Sequence, residues 1–190
     1  MATPHDLARG QFVPTTDGSG LVLIPLSTSG KHGDGGARYA LIDANDYPLV
    51  KGYTWQAHWN WTNRSYYART TIRSEGRRHP VRMHRMILGL GSDNRTQVDH
   101  RNHVTLDNRR SNMRAATATE NMCNRPLRSD NRSGFKGVGS DRRIPGKWRA
   151  RIRLHGVLRS LGVFDSPEEA ALAYNRAAIE LHGEFAWVNP

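Results

Sequence analysis

The chain is 190 residues long, 37% hydrophobic and 24% charged, which suits one medium domain or two small ones around a thin core. No apolar run approaches the ~20 residues that span a bilayer. Residues Met1 to Arg9 lack the apolar stretch of a secretory signal, and the single Cys123 excludes both an intramolecular disulfide framework and a cysteine-based zinc site. A cytoplasmic protein is expected. The formal charge of +11 is unevenly placed, because residues 1–66 hold five basic and five acidic side chains, so residues 67–190 carry the entire excess. All the basic residues except Lys31, Lys51, Lys136 and Lys147 are arginine, whose planar fork suits phosphate and guanine edges. Nucleic acid is therefore the expected partner, ahead of a merely solvated basic face. An anionic membrane surface is a distant third, since no amphipathic basic helix is visible.

In chain order, residues 1–20 read as a loose polar tail, Leu21 to Leu26 (LVLIPL) as a strand and Ser27 to Ala37 as a Gly/Ser loop. Arg38 to Asp43 (RYALID) alternates as a second strand, and Asp43 to Lys51 suits a short helix. Tyr53 to Tyr67 is dense in aromatic residues, which stack on bases in some proteins but more often fill the core of a small sheet. Val81 to Leu90 has helical spacing, with Met83, Met86, Ile87 and Leu90 on one side. Arg125 to Gly134 has no periodicity and reads as a linker. Three strand-like runs follow (FKGVGS, KWRARIRL, VLRSLGVF), separated by turns at Pro145-Gly146 and His155-Gly156. A helix then opens on Ser166 as N-cap, with Pro167 at its first position and Glu169 completing a capping box, and Gly183 ends it.

The catalytic candidate lies between these regions. Val98-Asp99-His100 is followed by Asn112, then by Asn121 in the first turn of a short helix whose capping box is Thr117 and Glu120. Hydrolysis of a phosphodiester needs a metal to polarise the phosphate and a base to deprotonate water. Asp99 and the amide oxygen of Asn121 are hard oxygen ligands of the kind Mg²⁺ takes. His100, on the opposite face of the strand from Asp99, is placed to act as general base. A hydrogen-bonded Asp/His couple without chemistry is the competing reading.

The stretch VDHRN…LDNRRSNMRAAT…ENMCNR resembles the core of HNH homing endonucleases of the phage and group I intron type. The resemblance covers about residues 21 to 125. It implies a ββα-metal (His-Me finger) core at about 96–124, with one Mg²⁺ or Mn²⁺ ion held by Asp99 and Asn121. His100 would activate water, and Asn112 would fix the loop over the metal. His84 matches a His-Arg in the family pattern that serves packing or hydrogen bonding, and it stays outside the catalytic set, while His103 reads as a surface loop residue.

Residues 133–189 resemble the plant ethylene-response-factor (APETALA-type) DNA-binding domain, a three-stranded sheet set in the major groove and backed by one helix. Along Lys147 to Leu154, Arg149, Arg151 and Arg153 share one face and Trp148, Ala150, Ile152 and Leu154 the other. Arg142, Arg143, Lys147 and Arg159 extend the basic patch. Gly139 and Ser160 stand where the plant pattern has Arg and Trp, so the plant target sequence does not transfer.

The combined expectation is an α+β chain. A tail over 1–20 and a β-rich nuclease domain over 21–125 are joined by a linker at 126–132 to a sheet-and-helix module over 133–190. It would act as a monomeric, metal-dependent, homing-type endonuclease on double-stranded DNA in a bacterial or phage-infected cell. A non-cleaving DNA-binding regulator on the same scaffold is the alternative.

Overall fold

The computed structural model describes residues 20–28, 38–91, 95–127, 130–154 and 156–190. The expected tail, most of the Gly/Ser loop and His155 of the second turn lie outside them. The fold is mixed α/β, built from several small antiparallel sheets and few helices. The chain divides between Ala115 and Ala116 into two compact units.

In the first unit, β1 (Leu21–Leu26) pairs antiparallel with β2 (Arg38–Asp43). Alternation sends Val22, Ile24 and Leu26 from β1, with Ala40 and Ile42 from β2, into the core. The region expected to be helical after Asp43 is a 3-10 turn (Ala44–Asp46) running into α1 (Tyr47–Val50). The aromatic-dense stretch becomes β3 (Gln56–Asn60) and the start of β4 (Ser65–Ser74). Its members divide by position. Trp55 is buried and donates its indole N–H to the Val50 carbonyl at 3.0 Å, Tyr67 is buried, and Trp61 is exposed.

A tight turn at Glu75-Gly76, both with positive φ (51° and 72°), joins β4 to β5 (Arg77–Arg82) and has the left-handed pattern of a two-residue hairpin loop. The helix expected over Val81 to Leu90 is only α2, Met83–Ile87. Its first two residues are taken by the sheet, because Val81 pairs with Thr70 and Arg82 with Arg69. Met83 and Ile87 are fully buried and join Trp55, Ala68 and Met113 in the core. The unit closes with β6 (Gln97–His100) paired with β7 (Met113–Ala116).

The second unit opens on the last residue of β7 and α3 (Ala118–Cys123). Thr117 caps α3 in a complete capping box, in which its hydroxyl accepts the Glu120 N–H and the Glu120 carboxylate accepts the Thr117 N–H. The sequence places the end of the nuclease domain after this helix, whereas in the fold the helix belongs with the C-terminal module. Lys136 supplies a physical reason, since its ammonium donates to the carbonyls of Cys123 (2.6 Å) and Arg125 (2.7 Å) at the end of α3. Burial pulls the Lys136 pKa down to about 8.

The module itself is β8 (Val138–Ser140), β9 (Trp148–Leu154) and β10 (Val157–Phe164) in the order β10-β9-β8, packed on α4 (Pro167–His182). The first strand is shorter than FKGVGS because Gly137 has φ 77°, which breaks the extended run. Ala170, Ala171, Tyr174 and Ala178 are the buried face of α4. Among the described residues no helix is long and apolar enough to cross a membrane.

Candidate active site

Strand β6 presents Asp99 and His100 in succession, and the two buried side chains meet different neighbours. Asp99 faces Arg114 on the paired strand β7. The Arg114 Nε donates to Asp99 Oδ2 at 2.7 Å, a guanidinium nitrogen lies 2.5 Å from the same oxygen, and both side chains are buried.

His100 joins Tyr67 of β4 and His84 of α2 in a set of edge-to-face rings. Centroid separations are 5.3 Å for His84–His100, 5.5 Å for Tyr67–His84 and 6.4 Å for Tyr67–His100. Its Nε2 lies 3.2 Å from Oδ1 of Asn108, a residue only 1% exposed, whose amide nitrogen points to the Met83 sulfur at 3.6 Å. With that amide orientation the neutral ring carries its proton on Nε2, toward Asn108 Oδ1. Burial holds the His100 pKa below the usual histidine value, against the opposing effects of Asn108, Asp99 and Asp107. His84 is held well below it, by burial first and then by the nearby His100, Arg82 and Arg85.

Asn112 acts on the loop between the strands. Its Oδ1 accepts the Asn102 N–H at 3.0 Å, its Nδ2 donates to the Asp107 carbonyl at 2.8 Å, and its own carbonyl accepts the Arg101 N–H at 2.8 Å. Asp107 is paired with Arg109 and accepts from Asn102 as well. His103 sits at the exposed tip of this loop with φ 63°. The backbone of the loop is tied to β2, through Leu41 N–H to the Leu106 carbonyl and Asn108 N–H to the Leu41 carbonyl.

Asp99, His100 and Asn112 thus belong to the first unit, and Asn121 lies half-buried on α3 in the second. Two residues beside Asp99 and His100, Asn108 and Arg114, are not singled out by the sequence. Asn108 is hidden among neighbouring asparagines, and Arg114 is recognisable only as the cross-strand partner of Asp99. His84 reads as a packing residue, although its ring touches that of His100.

Among the described residues no group of three or more His, Cys, Asp and Glu is gathered as a metal cage. The donors expected from the sequence, Asp99 and Asn121, are one carboxylate and one carboxamide, both hard oxygens. Oxygens of this kind are what Mg²⁺ takes as ligands, and in the first unit the Asp99 carboxylate is also paired with Arg114.

The predicted basic sheet residues do not behave as one set. Arg151 and Arg153 are exposed on one face of β9, and Arg153 donates to the Gly156 carbonyl at 2.6 Å. Arg142 and Arg143 are exposed in the β8–β9 loop. Arg149 is half-buried against the buried Asp141, with Nε to Oδ2 at 2.7 Å, and Lys147 is ion-paired with Asp165. Arg159 corrects the expected face. It pairs with Ile152, a buried residue of the helix side, so alternation turns it away from Arg151 and Arg153.

No family model and no solved structure matches the chain. Over 161 residues, 83% of this chain and 78% of its relative, the sequence is 27% identical to an uncharacterized HNH endonuclease of Acanthamoeba polyphaga mimivirus. The chain that sets Asp99 and His100 on one strand is thus similar, over most of its length, to a viral protein named for HNH chemistry.

Proposed function

We propose that the chain is a metal-dependent DNA endonuclease of the homing type, which hydrolyses a phosphodiester bond of duplex DNA. The observation behind this reading is the buried His100, oriented through Nε2 by Asn108 and adjacent in sequence to an Arg-paired Asp99. The similarity to a viral HNH endonuclease supports the same class.

In this reading Asp99 and Asn121 would each offer an oxygen to one Mg²⁺ or Mn²⁺ ion, which when bound would supply Lewis-acid stabilisation of the phosphate and leaving oxygen. His100 takes a proton from the attacking water as general base, its ring held in place through Nε2 by Asn108. Arg114 fixes the carboxylate of Asp99 and, with Tyr67 and His84 around His100, keeps both side chains in one rotamer. Asn112 positions the loop that carries Asn108. The outer face of the C-terminal sheet docks on duplex DNA through Arg151 and Arg153, with Arg142 and Arg143 beside them.

Supercoiled plasmid incubated with the protein and Mg²⁺ should be nicked or linearised, and EDTA should abolish this. Asn121→Ala should lose cleavage and keep duplex binding. Asp99→Asn is a better companion than Asp99→Ala, which would leave Arg114 buried without its partner, at a cost of about 3–5 kcal/mol. Undiminished cleavage in EDTA would refute the metal assignment. Tight duplex binding with no cleavage under any divalent ion would favour the regulator reading.

A further inference from the structure

The hairpin of β4 and β5 carries a charge pattern that the catalytic reading does not use. Residues 65–82 contain five arginines and one acid, Glu75 at the turn. The register sets Arg69 directly opposite Arg82 and Arg73 directly opposite Arg78, with Thr71 opposite Pro80 between them. Paired residues of an antiparallel ladder share a face, as do residues two apart, so all four arginines share one face. The other face carries Ala68 and Thr70 into the core. Like charges directly opposite destabilise a sheet, and this one stacks two such pairs. Their charge is felt nearby, since His58, opposite Tyr67, is held below the usual histidine value by burial and then by Arg69 and Arg82.

Protection of an exposed edge against aggregation is a known use of charge and proline, and it accounts for Arg78, Pro80 and Arg82 on the edge strand β5. It does not account for Arg69, which sits where β4 is paired on both sides, with Gln56 of β3 and with Arg82 of β5. The face also has a direction. The Arg82 guanidinium lies over the Tyr67 ring, 4.9 Å from its centroid, and that ring contacts both His84 and His100. Arg82 itself leads into the helix that carries His84. The arginine rows therefore end at the ring cluster of the candidate site, within one unit.

We infer that this face is a second DNA-contact surface, in which Arg69, Arg73, Arg78 and Arg82 clamp the phosphate backbone of duplex DNA on its way to His100. The inference rests on the nuclease reading for its ligand. A polyanion is the partner that converts stacked like-charge pairs from a stability cost into binding.

The test uses the distal pair, Arg73 and Arg78, which is exposed and at the far end of the hairpin from the ring cluster. Duplex binding by the full chain is measured in EDTA over a range of salt, for wild type, Arg73→Thr/Arg78→Thr and Arg73→Lys/Arg78→Lys, together with thermal unfolding of each. The threonine variant should lower the slope of log K against log salt by about 1.8, or about 0.9 per lost phosphate contact, and bind roughly tenfold more weakly at moderate salt. Its melting temperature should hold or rise, because a repulsive pair is gone. The lysine variant should restore the slope. A folded threonine variant with unchanged slope overturns the inference, as does a wild-type protein without affinity for duplex. The nuclease reading stands or falls separately, on Mg²⁺-dependent plasmid cleavage by the wild type.

Discussion

Replacing His100 with alanine is expected to slow DNA cleavage by about 100-fold or more, the usual scale for loss of a general base. The expectation follows from the proton arrangement at the ring. Asn108 turns its amide nitrogen to Met83 and its oxygen to His100 Nε2, so the neutral ring carries its proton on the Asn108 side and is held in one orientation. Duplex binding should persist, because Asp99, Asn121 and the arginine surfaces remain. His100 also packs against Tyr67 and His84, so alanine leaves a void, and a thermal melt must accompany the kinetics. His100→Gln fills more of that space without supplying a base of comparable strength, and it should be similarly slow. A normal rate in both variants would move the base role to another group, with the exposed loop residue His103 the first to substitute.

A large stability effect is expected at Gly137. Its φ of 77° lies in the left-handed region that side chains rarely adopt, and a Cβ there would overlap the Tyr174 ring and lie 2.7 Å from the Arg151 carbonyl oxygen. Tyr174 is buried on the face of α4 that covers the sheet, so the ring has nowhere to retreat without lifting the helix. Gly137→Ala should cost about 3 kcal/mol or more, combining backbone strain with overpacking. Gly156→Ala is the matched control. It has φ 82° but nothing within 4 Å of the added methyl, so only the backbone part applies, about 1 kcal/mol. Urea denaturation of the two variants separates these contributions through their midpoints, provided the slopes agree. Equal losses would mean that the contact between Tyr174 and Gly137 contributes nothing.

The two glycines show why parts of this protein are legible in its sequence and others are not. Gly137 reads as part of a strand run and Gly156 as a turn residue, and only the packing of Tyr174, on a helix remote in sequence from Gly137, shows that a side chain has no room there. Features set by neighbouring residues are directly readable. The caps at Thr117 and Ser166 depend on a side chain reaching a backbone N–H three residues on, and the alternation along β9 depends on the two-residue period of an extended strand. Helix ends and strand lengths are less accessible, because Val81 and Arg82 satisfy a helical period but are claimed by pairing with β4.

The candidate site divides in the same way. The succession of Asp99 and His100, the asparagines beyond them and the basic bias after residue 66 are properties of the sequence by itself. That Arg114 holds Asp99, that Asn108 orients His100, and that Tyr67 and His84 enclose its ring were decided by the tertiary structure. So were the division of the basic residues into Arg149 and Lys147 held in ion pairs and Arg151 and Arg153 left exposed, and the like-charge register of β4 with β5. The physical reason is common to all of them. The period of a chain determines which face a side chain takes, while its partner on that face depends on register and packing with residues remote in sequence.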